Sequence, residues 1–158
     1  MKRKMRIVLS AILVAAVVFS INYILSEGEK REVKNLVITY NNLITKAHFE
    51  MQAGLMRKLT SDWQLKKIDS YIALNLKNKR NIQGELKDLK FREIKVENDL
   101  ATVITEERWL WSYVDPYTKK LISEVFDEMY GNTYHLRKSN GHWVVDDLKS
   151  NFIGEAEK

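Results

Sequence analysis

Residues 94–113, IKVENDLATVITEERWLWSY, decide the fold class. Glu97-Asn98-Asp99 is a turn signal, because Asn and Asp tolerate left-handed backbone and bond to their own main chain. After it, Ala101, Val103, Thr105, Glu107, Trp109, Trp111 and Tyr113 occupy every second position, and alternate side chains of a strand share a face. Before it, Leu89, Phe91, Ile94 and Val96 give another strand, whose alternation slips between Phe91 and Ile94 as a β-bulge requires.

On the C-terminal side, Asp115-Pro116-Tyr117 breaks the strand. A third strand is expected over roughly residues 120–138, with Ile122, Phe126, Tyr130, Tyr134 and Leu136 on one face. Ser139-Asn140-Gly141 is a hairpin turn, since Asn-Gly accepts positive φ at both central positions. Residues 142–148 form the last strand, leaving 151–158 as a polar tail. Toward the N-terminus, NKRNIQG at 78–84 reads as a loop closing a helix with the stripe Leu65, Ile68, Ile72 and Leu76. Ser61 and Gln64 have capping-box spacing at its start. From Val33 to near Thr60, apolar residues at steps of three and four, Leu36, Val37, Tyr40, Leu43, Ile44, Ala47, Met51 and Leu55 among them, predict a long helix. Helices followed by an antiparallel meander make an α+β domain over 33–150, its helices packed on one face of a curled sheet.

Residues 7–26, IVLSAILVAAVVFSINYILS, carry no charge. About twenty helical residues span the roughly 30 Å hydrocarbon layer. Lys2, Arg3, Lys4 and Arg6 precede the run, which favours a cytoplasmic N-terminus. No Ala-x-Ala follows it and the chain has no cysteine, so an uncleaved signal anchor is preferred to a cleaved signal peptide or a lipoprotein. Residues 1–26 are thus expected to be a transmembrane helix, and EGEKRE at 27–32 a polar hinge. The expected location is the cell membrane, single-pass, with the C-terminal domain outside the cytoplasm.

The pattern resembles the nuclear-transport-factor-2-like superfamily of cone-shaped α+β domains. The likeness rests on the long helix with Tyr40 and Leu43 followed by a short one, on IKVENDLATV at 94–103, and on NTYHLRKSNGHWVVDDL at 132–148. Nearest in layout are membrane-anchored, non-enzymatic members: intermembrane-space domains of chloroplast-division proteins, the mitochondrial import-motor tether, and assembly factors of type IV secretion. The resemblance implies a shared scaffold and, for the enzymes of the superfamily, an Asp or His general base inside the cone.

The chemistry in this sequence is sparse. Without cysteine there is no disulfide, thiolate metal site or cysteine nucleophile. His48, His135 and His142 show no metal-ligand spacing, the six glycines form no phosphate loop, and nothing forces His48 or Asp146 toward a reacting partner. No cofactor, no metal and no enzymatic activity are expected. The net charge of +5 is concentrated before residue 7, leaving 22 basic against 21 acidic residues from Glu27 onward, so nucleic acid is not the expected partner. Charge is nevertheless divided: residues 57–95 carry 11 basic and 5 acidic residues, and Lys66, Lys67, Lys77, Lys79 and Arg80 form a candidate basic patch. Trp109, Trp111 and Tyr113, with Tyr130, Tyr134 and His48, either pack beneath the helices or line a pocket or interface. Glu107 shares their face, and a buried carboxylate needs a partner. The leading expectation is an interaction module that docks another envelope protein or a second copy of itself. The alternative is a binding domain for a small apolar or lipid ligand.

Overall fold

The computed structural model describes the backbone of residues 2–156 and the side chains of residues 26–156. Helix α1 (Lys2–Glu50) is followed by a 3-10 turn (Ala53–Met56) and helix α2 (Asp62–Lys77). Strands β1 (Asn81–Glu97), β2 (Leu100–Val114), β3 (Phe126–Ser139) and β4 (His142–Glu155) follow, paired antiparallel in the order β1-β2-β3-β4. The two helices cover the concave face of this curled meander. The α+β class is therefore as expected. The apolar run 7–26 lies, but for Ser26, outside the described side chains; among the described residues no helix is long and apolar enough to cross a membrane.

α1 lies across the sheet on Val33, Val37, Tyr40 and Ala47, all buried to within 1%. Their steps of three, four and seven keep one helical stripe against the core. Its polar segment 27–32 is helical rather than a hinge. Lys138, near the end of β3, pairs with Glu29 and anchors that turn to the sheet. α1 ends at Glu50, ten residues earlier than its periodicity suggests. Met51 adopts φ +59°, its N–H reaches the His48 carbonyl at 3.0 Å, and the Gln52 N–H reaches Ala47 at 2.8 Å. That is a Schellman closure with methionine in the place glycine usually takes.

Ser61 caps α2 as expected, its hydroxyl accepting the Gln64 N–H at 3.3 Å. The Gln64 side chain does not reach back to complete the box; it donates to the Tyr40 hydroxyl at 2.9 Å. α2 consequently buries Gln64, Ile68, Ile72 and Asn75, while Leu74 and Leu76 are exposed. The Ser61 N–H donates to the Val145 carbonyl and the Val145 N–H to Leu59, so the chain before α2 covers the β4 edge near its start.

The loop expected over 78–84 closes earlier, and β1 begins at Asn81, whose side chain donates to the Phe49 carbonyl at 3.0 Å. Two register shifts, at Leu86/Asp88 and Phe91/Glu93, keep Leu86, Leu89, Phe91, Ile94 and Val96 on the inner face. Asn98 at φ +54°, and Asn140 and Gly141 at φ +52° and +80°, make the two hairpin turns. β3 starts at Phe126, not near Lys120: residues 115–125 form a connection in which Ile122 is exposed. The supposed polar tail is strand as far as Glu155, because Phe152 and Gly154 pair with Tyr130 and Met129. A bulge opposite His135/Leu136 lets β4 run on, so Asp146 and Asp147 sit mid-strand.

Candidate functional site

β2 and β3 place Thr105, Glu107, Trp109, Trp111, Tyr130, Asn132 and Tyr134 on the concave face, and α1 crosses above them. The packing is incomplete. A cavity of about 270 Å³ remains between α1 and the sheet, and six of the seven pocket or interface candidates line it: Trp109, Trp111, Tyr130, Tyr134, Glu107 and His48. Tyr113 does not. It shares their strand face but lies beyond the mouth, edge-on to Trp111 at 5.2 Å and under the Arg80 guanidinium at 4.0 Å. The aromatic residues thus pack beneath the helix and wall a pocket at once.

Glu107 is fully buried at the base of this space. Its Oε1 accepts from Thr105 Oγ1 at 2.7 Å, Tyr134 OH at 2.7 Å and Asn41 Nδ2 at 3.0 Å, and its Oε2 accepts from Trp109 Nε1 at 2.9 Å. The Tyr134 hydroxyl shares its one proton between Glu107 and Asn41 Oδ1, the latter at 2.9 Å. Four side chains converging as donors, one of them shared, suit an ionised carboxylate, which only accepts. No cation pairs with it among the described residues. Burial, followed by the nearby Glu107 charge, drives the Tyr134 phenol well above its ordinary pKa, so it stays a donor. Tyr40 stands edge-on to Tyr134 at 5.8 Å and is pushed up to about 12, chiefly by burial. Sequence reasoning marked Glu107 and Tyr134 but missed Asn41, Gln64 and Asn132; buried amides on apolar stripes were the available signal.

A second carboxylate backs the pocket wall. Glu128 Oε2 accepts from Trp111 Nε1 at 2.7 Å and from the Tyr130 hydroxyl. Tyr130 titrates above the ordinary tyrosine range, through burial first and then Glu128. His48 sits at the α1 side of the mouth, edge-on to Tyr71 at 5.5 Å. Burial lowers its pKa to about 4, so the imidazole is neutral at ordinary pH. No hydrogen bond or ion pair to its ring is present among the described residues, and Asp146 is elsewhere, accepting from Arg137 Nε at 2.9 Å. The structure therefore does not bring His48 and Asp146 together.

The basic candidates do not form one patch. Lys66 and Lys67 open α2, whereas Lys77, Lys79 and Arg80 lie at its end, about 15 Å along the axis. Lys67 is taken up by Asp147 at 2.6 Å, and Arg80 Nε donates to Asn75 at 3.0 Å.

This architecture matches solved structures. The intermembrane space region of the chloroplast protein ARC6 aligns at a TM-score of 0.66 and 14% identity, covering 78% of this chain and 96% of that one. A candidate dehydratase of the NTF2-like family from Streptomyces avermitilis aligns at a TM-score of 0.51 and 16% identity, covering 78% and 95%. The fold is nuclear-transport-factor-2-like. No family model and no curated protein sequence matches the chain. At these identities the likeness concerns the scaffold, and a scaffold hosts many functions. In this NTF2-like cone the expected resemblance to a chloroplast intermembrane-space domain is present at the level of fold.

Proposed function

We propose that this chain is a membrane-tethered, extracytoplasmic protein-interaction module of a cell-envelope assembly. Residues 7–26 serve as a single-pass anchor, and the NTF2-like body docks another envelope protein outside the cytoplasm. The observation that carries the reading is the connection between β2 and β3. Tyr117 is 89% exposed there, and Leu121, Ile122 and Val125 are each more than half exposed. Apolar side chains concentrated in one exposed loop mark interaction sites.

The connection is held in place. Asp115 Oδ1 accepts from the Tyr117 and Thr118 N–H groups, Ser123 Oγ accepts from the Tyr113 N–H, and Lys119 Nζ donates to the Phe49 carbonyl at 2.8 Å. Lys119 thereby ties the loop to the C-terminal end of α1, about 35 Å along the helix from residue 26. An anchor at 7–26 would present this loop away from the bilayer, toward a partner. ARC6's intermembrane space region is in keeping with an envelope setting, though at the level of scaffold.

The test is crosslinking in native membranes with the full chain and with the double variant L121D/I122D. A specific partner captured by the parent and lost by the variant is expected. An identical capture profile, or none, overturns the docking reading. Protease added to intact spheroplasts should digest the body; full protection overturns the orientation.

The cavity favours a second reading, a small-ligand site. Its volume falls just under the roughly 300–1,000 Å³ of drug-sized pockets, so the ligand would be small.

A further inference from the structure

We infer that the aromatic cone is a receptor for a compact organic cation of the alkylammonium type. The inference rests on the second reading, the cavity as a ligand site, and adds the sign of the ligand's charge.

Among the residues that line the cavity there is a carboxylate and neither lysine nor arginine. Glu107 is anionic by its donor pattern and has no cationic partner, and its Oε2 accepts only the Trp109 indole. Glu107 has no exposed surface, so its charge acts on the cavity from beneath the floor, in an interior where Coulomb attraction is weakly screened. Asn132 adds to the same field. It is 4% exposed, lines the cavity, and its buried Oδ1 has no partner, leaving a partial negative charge behind the wall.

The walls have the same preference. Trp109 donates to Glu107, and Trp111 and Tyr130 both donate to Glu128. Hydrogen bonding of an indole or phenol to a carboxylate enriches its ring face in electron density, and aromatic faces attract cations most strongly when desolvated. An anion would meet the field of the buried Glu107 carboxylate with no compensating charge in the lining. A purely apolar ligand would gain nothing from that field. An ammonium, brought in past the half-exposed ring of Tyr71, meets π-faces in the field of a buried carboxylate.

Such a cation can be free in solution or borne by a lysine of the docked partner. Isothermal titration of the full chain in mild detergent distinguishes these. The probes are n-butylammonium, 1-butanol, butanoate, and a capped six-residue Gly/Ser peptide with one central lysine or Nε-acetyl-lysine. Butylammonium should bind at least tenfold tighter than butanol, and butanoate not at all. A free source predicts that butylammonium exceeds the lysine peptide; a partner source predicts the reverse, with acetylation abolishing binding. E107Q should weaken the cation at least tenfold. The exposed Y71K, which puts a like charge at the mouth without touching the core, should do the same if E107Q fails to fold. Equal affinity for butylammonium and butanol, or indifference to these substitutions, overturns the cation while leaving the cavity reading standing. No binding of any probe overturns both.

Discussion

Glu107 shows how a single side chain organises the interior. A buried carboxylate is costly unless donors replace its lost water, and here four do. Tyr134→Phe removes one of them without changing shape, and should lower stability by about 1.5–3 kcal/mol in urea unfolding, the range for hydrogen bonds to charged groups. Thr105 and Trp109 were legible as partners, since residues two apart on a strand share a face. Asn41, 66 residues away, was not: only the crossing of α1 over β2 brings it there. His48 gives a pH signature. Its pKa is about 4 folded against 6.5 for a free imidazole, so between those values the unfolded chain binds more protons and stability falls as pH drops. The loss is on the order of 3 kcal/mol, complete below about pH 4. His48→Gln should flatten this part of the stability–pH curve between pH 6.5 and 4; an unchanged curve would remove the assignment.

Among the elements, what could be read was what is local. Asn98, Asn140-Gly141 and Ser61 fix their turns and cap with their own chemistry. The slip between Phe91 and Ile94 announced its bulge. The ends of α1, β3 and β4 were obscure because tertiary contacts set them: Met51 closes a helix without glycine, and Phe152 extends a strand because Tyr130 lies opposite. α2 closes in the same manner as α1, with Lys79 at φ +54° and the Arg80 N–H reaching Asn75 at 3.1 Å. Left-handed backbone costs a side-chain-bearing residue about 1–2 kcal/mol. Lys79 is exposed, so Lys79→Gly should raise the melting temperature by about 2–4 °C, as scanning calorimetry would show. A fall would mean that the lysine side chain contributes more than the strain.

On the scale of the whole molecule, the charge division seen along the sequence is partly cancelled by folding. Arg92 pairs with Glu106 across β1 and β2, and Lys67 with Asp147 between α2 and β4. The interior cavity could not be read from sequence, because whether aromatic rings fill or line a space depends on how far α1 stands off the sheet. Accessibility to protease separates a helical 27–32 from a hinge. Trypsin under native conditions should cut first at Lys120, in the exposed connection, with Lys30 and Arg31 resisting; early cleavage at Lys30 or Arg31 would restore the hinge. Because 27–32 is helical, the body has a fixed azimuth about the axis of α1. Each inserted residue would turn it by about 100° and lift it about 1.5 Å. One extra alanine after Gly28 would swing the partner-facing side away, whereas seven would bring it nearly back into phase and only raise it. If residues 7–26 are the anchor, crosslinking to a membrane neighbour should then oscillate with insertion length, a periodicity no slack tether could produce.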